Sequence, residues 1–185
     1  MYDFEIRQFL HLNLKTDIRK TFDEVELNRG SARIDILAID DCMHGFEIKS
    51  DHDTLNRLEH QIKIYNMVFD KVTLVVGEKY LNKAKLIIPD WWGIILAEDT
   101  GNEIKLVEIK NPEINSKVNP RILVQLLWRD ELKKLLKDRN SLRGFSSKNK
   151  NILGKRLIQV LSIDDLKLSV RETLKNRVDW KVKVS

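Results

Sequence analysis

One stretch, RIDILAIDDCMHGFEIK from Arg33 to Lys49, constrains this chain more than any other. Two apolar runs, Ile34 to Ile39 and Phe46 to Lys49, flank a short polar break, which reads as two strands of a hairpin. Each run carries charge: Asp35 in the first, Glu47 and Lys49 in the second. Side chains two apart in a strand share a face, so Glu47 and Lys49 point the same way. A turn centred on Asp41 sets Asp35 opposite Glu47, with Cβ atoms about 4.5–5.5 Å apart. That register predicts Asp35, Glu47 and Lys49 on one face. A slip of one residue would send Asp35 to the other side.

Two carboxylates at that spacing repel, and a shared proton, a cation or full solvation must offset the repulsion. Asp35 is flanked by Ile34, Ile36, Leu37 and Ile39, so both faces of its strand read as buried, and buried acids are paired. One reading is a metal-type site. The other is a structural ion pair with Lys49 or Arg33. A hard cation such as Mg²⁺ takes one or two carboxylates and keeps several waters. It lowers the pKa of a bound water and stabilises charge on a phosphoryl oxygen, and a neighbouring lysine can orient that water.

Asp35, followed twelve residues on by Glu47-Ile48-Lys49, resembles the core of the PD-(D/E)XK nucleases, the restriction-endonuclease-like superfamily. Downstream, Gln61-Ile62-Lys63-Ile64-Tyr65 is similar to the Gln-x-x-x-Tyr element of some members. The resemblance spans about residues 1–100 and lies nearest to small bacterial and phage-borne members; Ile34 replaces the proline of the motif's name, which is not a ligand. It implies an α/β fold, a mixed β-sheet core flanked by helices. It further implies hydrolysis of DNA phosphodiester bonds with Mg²⁺, for which Mn²⁺ substitutes. Asp35, Glu47, the Ile48 carbonyl and a first-helix acid would hold the ion, and Lys49 would act on the attacking water. Gln61 and Tyr65 would support them, and Arg33 would hold a phosphate or neutralise an acid. The alternative function is a non-catalytic DNA-binding or protein-interaction module that keeps the fold. Small nucleases often dimerise, so a homodimer is a further expectation.

Residues 2–15 read as a helix on which Glu5 falls between Phe9 and Leu12, on the apolar side. Glu5 is therefore the candidate third acid, and Glu26, in a strand over Phe22 to Leu27, is its rival, read as solvent-facing. After Lys49, Ser50-Asp51-His52-Asp53 is rich in N-cap residues and predicts a helix to about Val68. On it Gln61 and Tyr65 share a face. Lys71 to Val76 reads as a buried strand parallel to an earlier one. A short helix over 78–87 and two strands, Trp91 to Ala97 and Ile104 to Ile109, follow.

The C-terminal part reads as a basic helical extension over residues 113–185 on a core over 1–112. From Asn111 to Ser185 there are 18 Lys and Arg against 8 Asp and Glu, a net +10, whereas the rest of the chain is net −5. A helix is expected from Pro120 to about Asp138, then a mobile basic loop, Arg139 to Lys150. Its cations, Arg139, Arg143, Lys148 and Lys150, would grip phosphates or simply be solvated. Helices over Lys155 to Leu161 and Ile163 to Arg177 read as a cap on the core rather than a DNA-reading helix-turn-helix. The tail DWKVKVS is expected to fray or add an edge strand. The single Cys42 excludes an internal disulfide and fits a reducing, cytoplasmic compartment. No apolar run is long enough to span a bilayer, and acids stand where a signal peptide would be basic.

Overall fold

The computed structural model describes residues 2–16, 19–101 and 103–178, so the tail 179–185 lies outside the described residues. A six-stranded sheet runs in sequence order: β1 (Lys20–Leu27), β2 (Ala32–Ile39), β3 (Met43–Lys49), β4 (Lys71–Gly77), β5 (Gly93–Asp99) and β6 (Ile104–Lys110). The first three strands meander antiparallel, β3, β4 and β5 are parallel, and β6 returns antiparallel. Parallel neighbours need crossovers, and α2 (Leu58–Tyr65) and α3 (Glu78–Ile87) supply them. The chain is thus a mixed α/β protein with helices on both sides of its sheet.

Helix α1 (Asp3–Leu14) covers one face, laying Ile6, Leu10 and Leu14 on Ile36, Ala38, Phe46 and Ile48. The opposite face buries Leu37, Ile39, Val72, Leu74 and Val76. It packs there with α2 and with residues of α4 (Pro120–Leu123), α5 (Arg129–Lys137), α6 (Lys150–Val160) and α7 (Ile163–Lys175). Burial of a Leu, Ile or Val side chain contributes about 1.5–3 kcal/mol, so this shared cluster binds the C-terminal helices to the sheet. Gly45 permits the close fit under β3, since a Cβ there would meet Phe69 Cδ2 at 2.8 Å. Among the described residues no helix is long and apolar enough to cross a membrane.

Three segments differ from the sequence expectation. The N-cap residues after Lys49 do not start α2, which begins at Leu58. Asp53 Oδ2 instead accepts from Ser50 N and Oγ, and Asp51 Oδ1 accepts from Lys79 N at the start of α3. The helix expected from Pro120 to Asp138 breaks at Leu127 and Trp128, which are extended (ψ 143° and 164°). Glu131 Oε2 caps the new start by accepting from Trp128 N. The segment Arg139 to Lys150 is a series of hydrogen-bonded turns. Phe145 packs against the core and lies under Arg156, and Asn149 caps α6, which starts earlier than expected.

Candidate functional site

The β2–β3 hairpin turns about Asp41, pairing Ile39 with Met43 through Ile36 with Phe46. One further step sets Asp35 across from Glu47, as the spacing predicts, but the ladder ends before it. Ile34 packs in the cluster on the α2 side, while Ile36 packs in the cluster under α1. Strict alternation would put both on one face, so the pleat breaks at Asp35. Across β1 the break is matched by Glu24, whose φ is +54°. The strands fork here, and the expectation of one clean face for all three charged groups is corrected. Asp35 reaches along the fork instead, its Oδ2 accepting from Ile48 N at 2.7 Å. A strand residue points its N–H and C=O to the same side, so the Ile48 carbonyl also faces the fork.

Glu47 and Lys49 point to the α2 side and are buried. Glu47 Oε1 accepts from Lys49 Nζ at 2.5 Å and from Gln61 Nε2 at 2.6 Å. Tyr65 Oη lies 2.6 Å from Glu47 Oε2 and 2.6 Å from the Arg33 carbonyl, a single proton facing two acceptors. Burial, then the nearby Glu47 charge, push the Tyr65 phenol well above its ordinary range, so it stays a neutral donor. Gln61 and Tyr65 thus sit against Glu47 as the helix face predicts. A carboxylate offers about four lone-pair positions; Glu47 uses three and keeps one.

Burial first, and then Glu47, push the Asp35 carboxyl up to about 7, against the lowering effect of the Ile48 N–H. Arg7 approaches from α1: its Nη2 is 3.3 Å from Asp35 Oδ1, 3.1 Å from Asp3 Oδ1 and 2.8 Å from Glu24 Oε1. Burial alone would lower the Arg7 pKa, but Asp3 and Asp35 raise it. For Asp35 itself the loss of water outweighs what the long contact to Arg7 returns.

These groups line a cleft of about 680 Å³. Its lining carries six acids (Asp3, Glu24, Glu26, Asp35, Glu47, Asp53) and four cations (Arg7, Arg33, Lys49, Arg57), a net −2. Among the described residues no three His, Cys, Asp or Glu side chains form a metal-holding group. The cleft lining offers oxygen atoms from Asp35, Glu47, Ile48 and Gln61, whose Oε1 is buried without a hydrogen-bond partner. Hard oxygen donors few in number, with water completing the shell, fit Mg²⁺.

Glu5 is not in the cleft. Its Oε2 accepts from Tyr2 N at 2.6 Å at the start of its own helix, and the first-helix acid that lines the cleft is Asp3. Glu26 lines the cleft as well. Arg33 neutralises Glu24, Nε to Oε2 at 2.5 Å, rather than Asp35. The C-terminal cations do not line it. Arg139 turns inward to the Leu135 carbonyl and Ser169 Oγ, while Arg143 and Lys148 are exposed elsewhere. Lys150 donates to the Gln125 carbonyl at 2.9 Å in a smaller adjoining pocket, its pKa lowered by burial and Arg177. The residues the sequence reading missed are Arg7, Asp3 and Glu24. Asp3 and Arg7 are an i,i+4 pair on α1, which was the legible signal.

The model of a family described as "Bacteriophage P4 protein cII" matches residues 5–183. A curated protein, "Protein cII" of Enterobacteria phage P4, is 27% identical over 155 residues, covering 84% of this chain and 58% of that protein. The chain therefore spans little more than half the length of that relative. A solved structure, "SPO1766 protein of unknown function from Silicibacter pomeroyi", aligns with a TM-score of 0.44 at 14% identity, covering 78% of this chain and 90% of that one.

Proposed function

We propose that this chain, which belongs to the Bacteriophage P4 protein cII family, is a divalent-metal-dependent nuclease of restriction-endonuclease-like fold that hydrolyses DNA phosphodiester bonds. One observation carries the reading. Where β2 and β3 part, Asp35 Oδ2 accepts from the N–H of Ile48, the residue between Glu47 and Lys49, Lys49 Nζ rests on Glu47, and all three charged side chains line one cleft. Two carboxylates in one cleft, whose lining is formally net −2 with every acid ionised, are a site where a cation would replace the Asp35 proton.

Asp35, Glu47 and the Ile48 carbonyl would hold Mg²⁺, or Mn²⁺ in its place. The bound ion supplies a water of lowered pKa and stabilises charge on the phosphoryl oxygen. Lys49, released from Glu47 or shared with it, orients the water. Tyr65 and Gln61 fix the Glu47 carboxylate. Asp3 and Glu24 hold the Arg7 guanidinium beside Asp35.

A second reading is a non-catalytic DNA-binding or protein-interaction module, in which Arg7 beside Asp35 is a structural ion pair. The deciding experiment offers linear, nicked, branched and single-stranded DNA with Mg²⁺, Mn²⁺ or chelator. Cleavage is expected with either ion and not with chelator. It is expected to vanish in Asp35→Ala and Lys49→Ala variants whose circular dichroism is unchanged. Full activity in Lys49→Ala removes Lys49 from the mechanism. No metal-dependent cut on any substrate, with DNA binding intact, selects the second reading.

A further inference from the structure

We propose that a column of exposed rings beside the cleft, His52, Tyr2 and Phe4, stacks unpaired nucleobases, so that the substrate class of this site is single-stranded nucleic acid or a duplex with an unpaired stretch. The cutting of such a strand rests on the nuclease reading; its binding does not. Tyr2 and His52 lie with centroids 4.4 Å apart and planes 13° from parallel, and Tyr2 and Phe4 lie 6.3 Å apart at 18°. Tyr2 is 55% and Phe4 61% exposed, and His52 is exposed too.

Core packing does not account for these rings. α1 buries its apolar side through Ile6, Leu10 and Leu14, and Phe4 faces away from it. Their location does suggest a use. Asp3, between Tyr2 and Phe4, and Asp53, next to His52, both line the cleft that holds Asp35 and Glu47. The two backbone segments that carry the column thus border the cleft.

Charge argues the same way. A lining of formal net −2 with every acid ionised, or net −1 with Asp35 protonated, gives a phosphate backbone little to hold before a cation is bound, so binding needs a contribution that charge does not oppose. Base-on-ring stacking is such a contribution and tolerates any sequence. Inside an intact duplex the bases are already stacked on one another, so only an unpaired base offers its face to the column.

The test is fluorescence anisotropy of the full chain with Ca²⁺ in place of Mg²⁺, at fixed low salt. The probes are a short labelled oligo(dT), an oligo(U) and a blunt duplex. The wild type is expected to bind oligo(dT) or oligo(U) about tenfold or more tightly than the duplex. The Tyr2→Ala/Phe4→Ala variant is expected to lose that factor and keep its duplex affinity, while Phe4→Trp retains it. The tighter of the two single strands names the sugar that the site accepts. Oligonucleotide binding unchanged in the double variant overturns the proposal, as does an equal loss on duplex and single strand. So does a self-association lost in that variant while oligonucleotide binding stays, which would make the rings a protein contact. Ring-dependent binding without any metal-dependent cleavage refutes the nuclease reading alone. Asp35-dependent cleavage of duplex with ring-independent binding refutes this proposal alone.

Discussion

At the fork between β2 and β3, Asp35 keeps its proton into the neutral range because burial and Glu47 push its carboxyl up to about 7 from 3.8. The sign follows from linkage. A folded pKa above the unfolded one favours the protonated native state, so the stabilisation is complete below about pH 4 and is lost as pH rises through about 7. The loss approaches about 4 kcal/mol as an upper bound. In chelator, Asp35→Asn, whose amide oxygen still accepts from Ile48 N, should therefore be more stable than the wild type at pH 8 and no more stable at pH 4. Chemical denaturation at the two pH values checks this; a variant less stable at pH 8 contradicts it. The three charged residues at the fork were legible because strand spacing is local geometry. Glu5 was misplaced for a physical reason: a helical wheel gives direction but not reach, and the Glu5 carboxylate turned back to Tyr2 N. Arg7 escaped notice because its partners Glu24 and Asp35 are remote in sequence.

At the scale of elements, the hairpin register about Asp41 was readable, since two apolar runs and a turn leave few alignments. The pleat break at Asp35 and Glu24 was not, because it depends on Ile34 turning to the cluster under α2. The break in the helix after Pro120 was hidden by an unbroken leucine pattern, and what sets it is distant. Arg177 grips Glu131, donates to the Leu126 carbonyl at 2.7 Å and stacks over Trp128 with its guanidinium 4.0 Å from the ring centroid. Removing one partner of such a buried pair costs about 3–5 kcal/mol. Arg177→Ala should lower stability by that amount, measured by denaturant titration, with amide exchange in α5 and α7 accelerated. Arg177→Lys should recover little of it, because an ammonium neither pairs bidentately nor stacks as a planar group. Near-complete recovery by lysine would show that charge alone holds the break.

Over the whole molecule, the sheet-plus-helices architecture was foreseeable from alternating strand and helix patterns, but the division at residue 112 was not a division of the core. Leu123, Leu132, Leu153, Leu157, Val170 and Leu174 belong to the same buried cluster as Leu37, Leu74 and Tyr65. Lys167 Nζ also reaches Asp70 across this interface at 2.5 Å. Basic composition marks those helices as exposed on one side; it says nothing of how much sheet their other side covers. The chain should unfold in one cooperative transition, with near-ultraviolet dichroism and intrinsic fluorescence superposing. A fragment ending at residue 112 should expose the α2 side of the sheet and fail to give a native dichroism spectrum. Two separate transitions, or a folded fragment, would contradict a shared core.

The proposed function requires Asp35 and Glu47 together to hold one divalent cation at the fork. Electron paramagnetic resonance of Mn²⁺ titrated into the apo chain measures that directly, without a substrate. The wild type is predicted to bind one Mn²⁺, competed off by Mg²⁺, and both Asp35→Asn and Glu47→Gln are predicted to lose that site. Wild-type Mn²⁺ binding retained in both variants, or no bound Mn²⁺ in the wild type, would contradict it.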